Sequence, residues 1–167
     1  MQQMMQNKFV SPTTAGTMEW AKLGILMSLL FFPNGPILIK LLFAVVLSIV
    51  GTFLFVQLIN LIRVKDVIFV PLLGIMIGGI LSSFTTFVAL RTNALQSIGN
   101  WLTGNFAVIT SGRFEVLYLT IPLLILAFVF ANHFTIAGIG KDFSHNLGVS
   151  YEKIIKIALF ITATLTA

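Results

Sequence analysis

Residues 41–62 read "LLFAVVLSIVGTFLFVQLINLI" and residues 67–90 read "VIFVPLLGIMIGGILSSFTTFVAL", with no Asp, Glu, Lys or Arg in either. No other feature narrows the fold as much. A helix needs about 20 such residues to cross a hydrocarbon core about 30 Å thick. Lipid offers the backbone no hydrogen bonds, so successive spans of this length are expected to be helices that satisfy their own amides and carbonyls. The remaining composition agrees. Hydrophobic residues make up 57% of the chain and charged residues only 9%, against about 25% charged in soluble domains. That leaves too little charge to solvate a soluble surface. The fold class that follows is all-α, a polytopic helical bundle in a lipid bilayer.

Three further apolar runs accompany these two. "LGILMSLLFF" (23–32) is short and stops at "PNGP" (33–36), where two prolines and a glycine end a helix. The next extends from Val116 to about Asn132 and continues, less apolar, to Gly140. The last, "IIKIALFITATLTA" (154–167), carries Lys156 and falls short of a full crossing. Spans are therefore expected at 17–33, 37–62, 67–90, 115–134 and 151–167, with an external segment at 91–114 and a polar segment at 138–150. The opening "MQQMM" resembles the polar end of a helix whose apolar body is absent, and the final run stops early. The chain is expected to be a fragment, truncated at both ends.

Lysine and arginine set the orientation. Alternating sides puts Lys8, Lys22, Arg63, Lys65, Lys141, Lys153 and Lys156 on one face, and Lys40, Arg91 and Arg113 on the other. The excess marks the first face as cytoplasmic. No basic run exists, so the net charge of +5 reflects topology, and nucleic acid is not expected as a partner.

Several chemistries lack their parts. Residues 41–62, 67–90 and 116–132 contain no ionisable Asp, Glu, Lys or Arg, which disfavours a proton-driven carrier. His133 and His145 stand apart, with no H-E-x-x-H and no paired aspartates in the spans, which disfavours intramembrane hydrolysis. "GIGKD" is not a phosphate loop, because Thr135 stands where a glycine is needed and Asp142 where Ser or Thr is needed. No metal site and no cofactor are expected.

Other features are present. Gly74, Gly78 and Ser82 recur at a spacing of four, with Gly79 and Ser83 beside them. Small residues at that spacing let two helices pack closely. In a second reading Ser82, Ser83, Thr85 and Thr86 continue the face as an uncharged polar lining for a passage, although hydroxyls bonded back to their own helix fit either reading. Pro71 and Pro122 fall inside spans, where kinks are expected. In the 91–115 segment Trp101, Leu102 and Phe106 suit a short helix at the interface. That outward surface either receives a partner or merely reconnects two spans.

The stretch "GIGKDFSHNLGVSYEK" (138–153) concentrates charge found almost nowhere else. Asp142 or Ser144 can cap, Phe143 and Leu147 share a helical face, and Gly148 is a stop signal. A short amphipathic helix on the cytoplasmic side follows. It is either a solvated connector or, since connections are usually about 4–6 residues, a ridge for a groove on another protein.

Three stretches together resemble the permease subunits of bacterial ABC importers for iron–siderophores, haem and cobalamin. "QNKFVSPTTAGT" (6–17) resembles the family's Asn-Pro-Leu-Ala…Pro…Leu-Gly segment, with Asn7 and Pro12 aligned; "WLTGNF" (101–106) resembles its external Trp…Gly element. "GKDFSHNLGVSY" (140–151) resembles its acidic…Ala…Leu-Gly-Val segment, and "TMEWAKLG" looks closest to permeases for catecholate siderophores of petrobactin and anguibactin type. Lys8 stands where proline is usual and Ser144 where alanine is usual.

The resemblance implies about five of the family's ten spans per subunit, from late in the second to early in the seventh, with a short cytoplasmic coupling helix. It implies an iron(III)–siderophore permease of the bacterial cytoplasmic membrane, not itself an enzyme. A second permease, identical or a sister, an extracytoplasmic siderophore-binding protein and a separate ABC ATPase would complete it. Gly140, Asp142, Phe143, Ser144, Leu147 and Gly148 would couple to the ATPase. A secondary transporter or channel driven without an ATPase is the alternative.

Overall fold

The computed structural model describes residues 2, 11, 16–62, 69–102 and 114–167. Among them every regular element is helical: α1 (Thr17–Phe31), α2 (Ile37–Ile62), α3 (Phe69–Arg91), α4 (Leu95–Leu102), a 3₁₀ turn (Phe114–Leu119), α5 (Thr120–Val129), α6 (Ala131–Ile139), α7 (Lys141–Asn146) and α8 (Tyr151–Thr166). The stretches around Asn7, Lys8 and Pro12, the basic turn with Arg63 and Lys65, and the end of the external segment with Phe106 and Arg113 lie outside the described residues.

The close pair is α1 with α2, which run antiparallel across the 32–36 turn. Two glycines make the approach possible. A Cβ on Gly24 would stand 2.8 Å from Cα of Ala44, and one on Gly51 would enter the Trp20 ring. Helices in lipid associate through this kind of van der Waals contact, since lipid tails are as apolar as leucine. Ala21, Ile25 and Ala44 form a buried cluster along the seam. On the far side of α2, buried Ser48 donates a hydrogen bond to the Ala163 carbonyl of α8 at 3.1 Å.

Helix α1 also lies parallel to α3, but starts part-way along it. Gly16, with φ of 75°, precedes α1, and a Cβ on it would lie 4.0 Å from Gly78 Cα and the Gly74 carbonyl. The positive φ makes this a glycine position, and a Cβ there would only touch α3 at ordinary van der Waals distance. Gly78 stands nine residues beyond Phe69, so α1 begins roughly 13 Å from the start of α3. The small-residue stripe of α3 is thus used for packing at Gly74 and Gly78, whereas Gly79 has open space around it.

Among the described residues two helices are long and apolar enough to cross a membrane, Ile37–Ile59 within α2 and Phe69–Arg91. The expected 115–134 span is a bent pair instead: Leu117–Val129 and Ala131–Ile139 meet at 51°. The bend falls on Phe130, whose φ of −87° and ψ of 1° leave the helical region. It does not fall on Pro122, which occupies the first turn of α5, where the missing N–H leaves no carbonyl unpaired. Pro71 likewise stands third in α3 rather than mid-span. The expected kinks at both prolines are therefore corrected. Helix α1, of 15 residues, reaches about 22 Å, short of a full crossing.

Candidate functional site

Helix α7 is a single short element between α6 and α8, bounded by two glycines in conformations that other residues rarely adopt. Gly140 has φ of 131° and Gly148 φ of 72°. At its end the Gly148 N–H bonds the His145 carbonyl at 3.0 Å and the Val149 N–H bonds the Ser144 carbonyl at 2.9 Å. This paired closure is the Schellman arrangement that a glycine after Leu147 permits. Phe143 and Leu147 are 62% and 58% exposed, and the Leu147 N–H bonds the Phe143 carbonyl, so they stack one turn apart. The apolar stripe expected from the sequence is thus formed and unused by the chain's own described residues.

Ser144 faces the other way. It is fully buried, and its hydroxyl donates to the Gly140 carbonyl at 2.8 Å and the Ile136 carbonyl at 3.2 Å. This corrects the expectation that Ser144 caps the helix. The N-cap position of α7 is Gly140, which has no side chain to cap with. Ser144 instead fastens α7 to the last turn of α6. A buried hydroxyl of this kind is worth about 1 kcal/mol, so Ser144→Ala is expected to lower the thermal midpoint of the full-length protein by a few degrees. Transport should be left within about twofold, since the Ser144 N–H to Gly140 carbonyl bond at 3.1 Å survives the substitution and keeps the α6–α7 junction closed. A thermal melt beside an uptake assay checks this.

The four hydroxyl residues of α3 divide. Ser82, Thr85 and Thr86 line a cavity of about 250 Å³ between α1, α3 and α4, closed in part by Ile98 and Leu102 of α4. Ser83 is exposed elsewhere. Ser83, Thr85 and Thr86 donate back to the carbonyls of Gly79, Leu81 and Ser82, each at 2.8 Å. Their protons are spent locally, and they offer only acceptor lone pairs to anything else.

The fourth polar residue lining this cavity comes from α1. Lys22 of α1 lines the cavity with the C-terminal half of α3 and with α4, not with the end of the bundle where α3 starts. Its ammonium bonds Glu19 Oε1 at 2.9 Å. Glu19 Oε2 is shielded from solvent and has no hydrogen-bond partner among the described residues, and its Cγ packs beside Gly78. An ion pair three residues apart just after Gly16 was the available signal.

At the same end of the bundle, Lys40 of α2 sits 5.4 Å from the centre of the Trp101 ring of α4, and Arg91 sits 5.6 Å from that of Phe87. Helix α4 buries Ile98 and exposes Trp101 and Leu102. This suits a short helix lying along a membrane surface, with Trp near the headgroups.

Comparison with known proteins places these features. The profile of the FecCD transport family matches residues 1–167. The chain is 50% identical over 167 residues to the petrobactin import system permease protein YclN of Bacillus subtilis, covering all of this chain and 53% of that protein. It is 39% identical over 166 residues to the petrobactin import system permease protein FatD of Bacillus anthracis, covering 99% and 49%. It is 32% identical over 167 residues to the ferric-anguibactin transport system permease protein FatD of Vibrio anguillarum, covering 100% and 53%. The chain therefore spans about half the length of these relatives. Among solved structures it is similar to an inward-facing metal-chelate-type ABC transporter, with TM-score 0.69 and 18% identity, over 99% of this chain and 53% of that one. At that identity the likeness concerns the fold.

Proposed function

The chain belongs to the FecCD transport family, and from that premise we propose that it forms part of the membrane-spanning permease of an ATP-driven importer for an iron(III)–siderophore. The observation that carries the proposal is 50% identity, across all of this chain, to a protein named for petrobactin import. The permease would lie in the bacterial cytoplasmic membrane, pair with a second permease, and receive the chelate from an extracytoplasmic binding protein. ATP hydrolysis would belong to a separate subunit.

Residues 140–148 are the proposed contact with that ATPase. The Phe143–Leu147 stripe offers two large apolar side chains on a helix held at both ends by glycine turns and clasped to α6 by Ser144. A rigid ridge of this kind transmits displacement better than a flexible connector, because little of the motion is absorbed locally. Asp142 lies on the same short helix. Ser82, Thr85 and Thr86 are proposed to line the path.

The test is energetic. In cells making the full-length permease with its ATPase and binding protein, uptake of ferric petrobactin labelled with radio-iron is expected to stop on ATP depletion. It should persist when a protonophore collapses the proton gradient. The opposite pattern would favour a secondary transporter.

A further inference from the structure

We propose that the cavity between α1, α3 and α4 is an oxyanion-binding subsite on the transport route, in which Lys22, held by Glu19, takes negatively charged oxygens of an iron chelate. This deepens, and rests on, the siderophore-permease reading.

Four observations bear on the ligand's chemistry. Lys22 is the one charged residue among the described residues lining the cavity, and of its three N–H donors one is committed to Glu19. Lys22 lines the cavity whereas Glu19 does not and packs toward Gly78 of α3, so on this proposal the ammonium's two remaining donors turn to the cavity while Glu19 holds the third. Thr85 and Thr86 have spent their protons on backbone carbonyls, so Lys22 supplies the strong donors and sets the sign. An oxyanion is held by charge-assisted bonds from the free donors, whereas a cation meets no carboxylate among the described residues that line the cavity. The volume of about 250 Å³ is below the roughly 300–1,000 Å³ that encloses a whole drug-sized ligand, so the subsite suits one chelating arm of a larger complex. Catecholate and carboxylate oxygens bring more negative charge than iron(III) neutralises, and such an arm is anionic.

Glu19 gives the arrangement its balance. A lone lysine within a membrane helix costs about 2.5–3.5 kcal/mol, and its carboxylate partner offsets that while leaving two donors unused. It also competes with the ligand for the ammonium. A passage must bind weakly enough to release, and this competition supplies the weakness.

A purely structural ion pair makes a different forecast, which allows a clean test. The full-length permease–ATPase complex is purified without its binding protein, and ferric petrobactin is titrated against its tryptophan fluorescence. Lys22→Met is expected to raise Kd about tenfold, the loss of one charge-assisted bond, while Lys22→Arg remains within about threefold because it keeps charge and donors. Glu19→Gln is expected to lower Kd by about threefold, since it frees the ammonium. If Lys22→Met binds as the wild type does, or Glu19→Gln and Lys22→Met weaken binding alike, or the wild type transports ferric petrobactin without binding it, the inference is overturned and the permease reading stands. If the wild type neither binds nor transports any ferric siderophore, both fall. Equal recovery of all variants from the membrane confirms that they fold.

Discussion

Leu147→Asp in the full-length permease is expected to cut ATP-driven uptake roughly a hundredfold while leaving membrane insertion unchanged. The size follows from where the side chain goes. Leu147 is 58% exposed, so replacing it costs the permease's own fold little. In the proposed assembly the same position would enter a groove on the ATPase. An unpaired carboxylate carried into an apolar groove loses about 3 kcal/mol or more, which is about two decades in the population of docked complexes. Leu147→Met, which keeps volume and apolarity, should retain uptake within about twofold. The readouts are initial uptake rate, the amount of permease in the membrane fraction, and the amount of ATPase that co-purifies with it. Loss of uptake with loss of co-purified ATPase is the expected pair. Normal uptake by Leu147→Asp would remove α7 from the coupling role.

The same helix shows why parts of this molecule are readable from sequence. In "FSHNLGV" the apolar residues one turn apart and the following glycine each have a local physical meaning, and α7 ends in the glycine turn those residues specify. Helix α2 starts at Ile37, directly after the proline-rich turn that the sequence marks as a helix stop. Relations between distant segments were not legible. The bend at Phe130 carries no proline or glycine to announce it. Counting positive charge by alternating sides assumes that each helix starts at a surface. Helix α1 instead starts beside Gly74 and Gly78 of α3, so its second turn lies deep. The hydroxyls at 82–86 had two open readings, and the folded chain brings three of them to one cavity while leaving Ser83 outside it.

Glycine spacing carries the same lesson in a form that can be measured. The stripe at Gly74, Gly78 and Gly79 stood out in the sequence, whereas Gly24 and Gly51, on separate helices, did not. Yet a methyl group on Gly79 meets open space, and one on Gly24 meets the backbone of Phe43 and Ala44, with the Ala44 Cα at 2.8 Å. Backbone cannot rotate aside as a side chain can, so the whole of α1 must move away from α2. Gly24→Ala is expected to destabilise the protein by about 3 kcal/mol, at the upper end of overpacking effects, and to reduce the folded fraction recovered in mild detergent several-fold. Gly79→Ala should be neutral or slightly stabilising, because alanine is the better helix former by about 1 kcal/mol. Gly51→Ala clashes with the Trp20 ring instead, and here the obstruction is a side chain that can be removed. Adding Trp20→Ala should therefore recover a large part of the Gly51→Ala loss, a non-additive pair, whereas it should recover little for Gly24→Ala. Detergent melts of these five proteins, each made full-length, read all of this at once. If Gly79→Ala proves as damaging as Gly24→Ala, the α1–α2 seam is not the contact that holds this half of the bundle together.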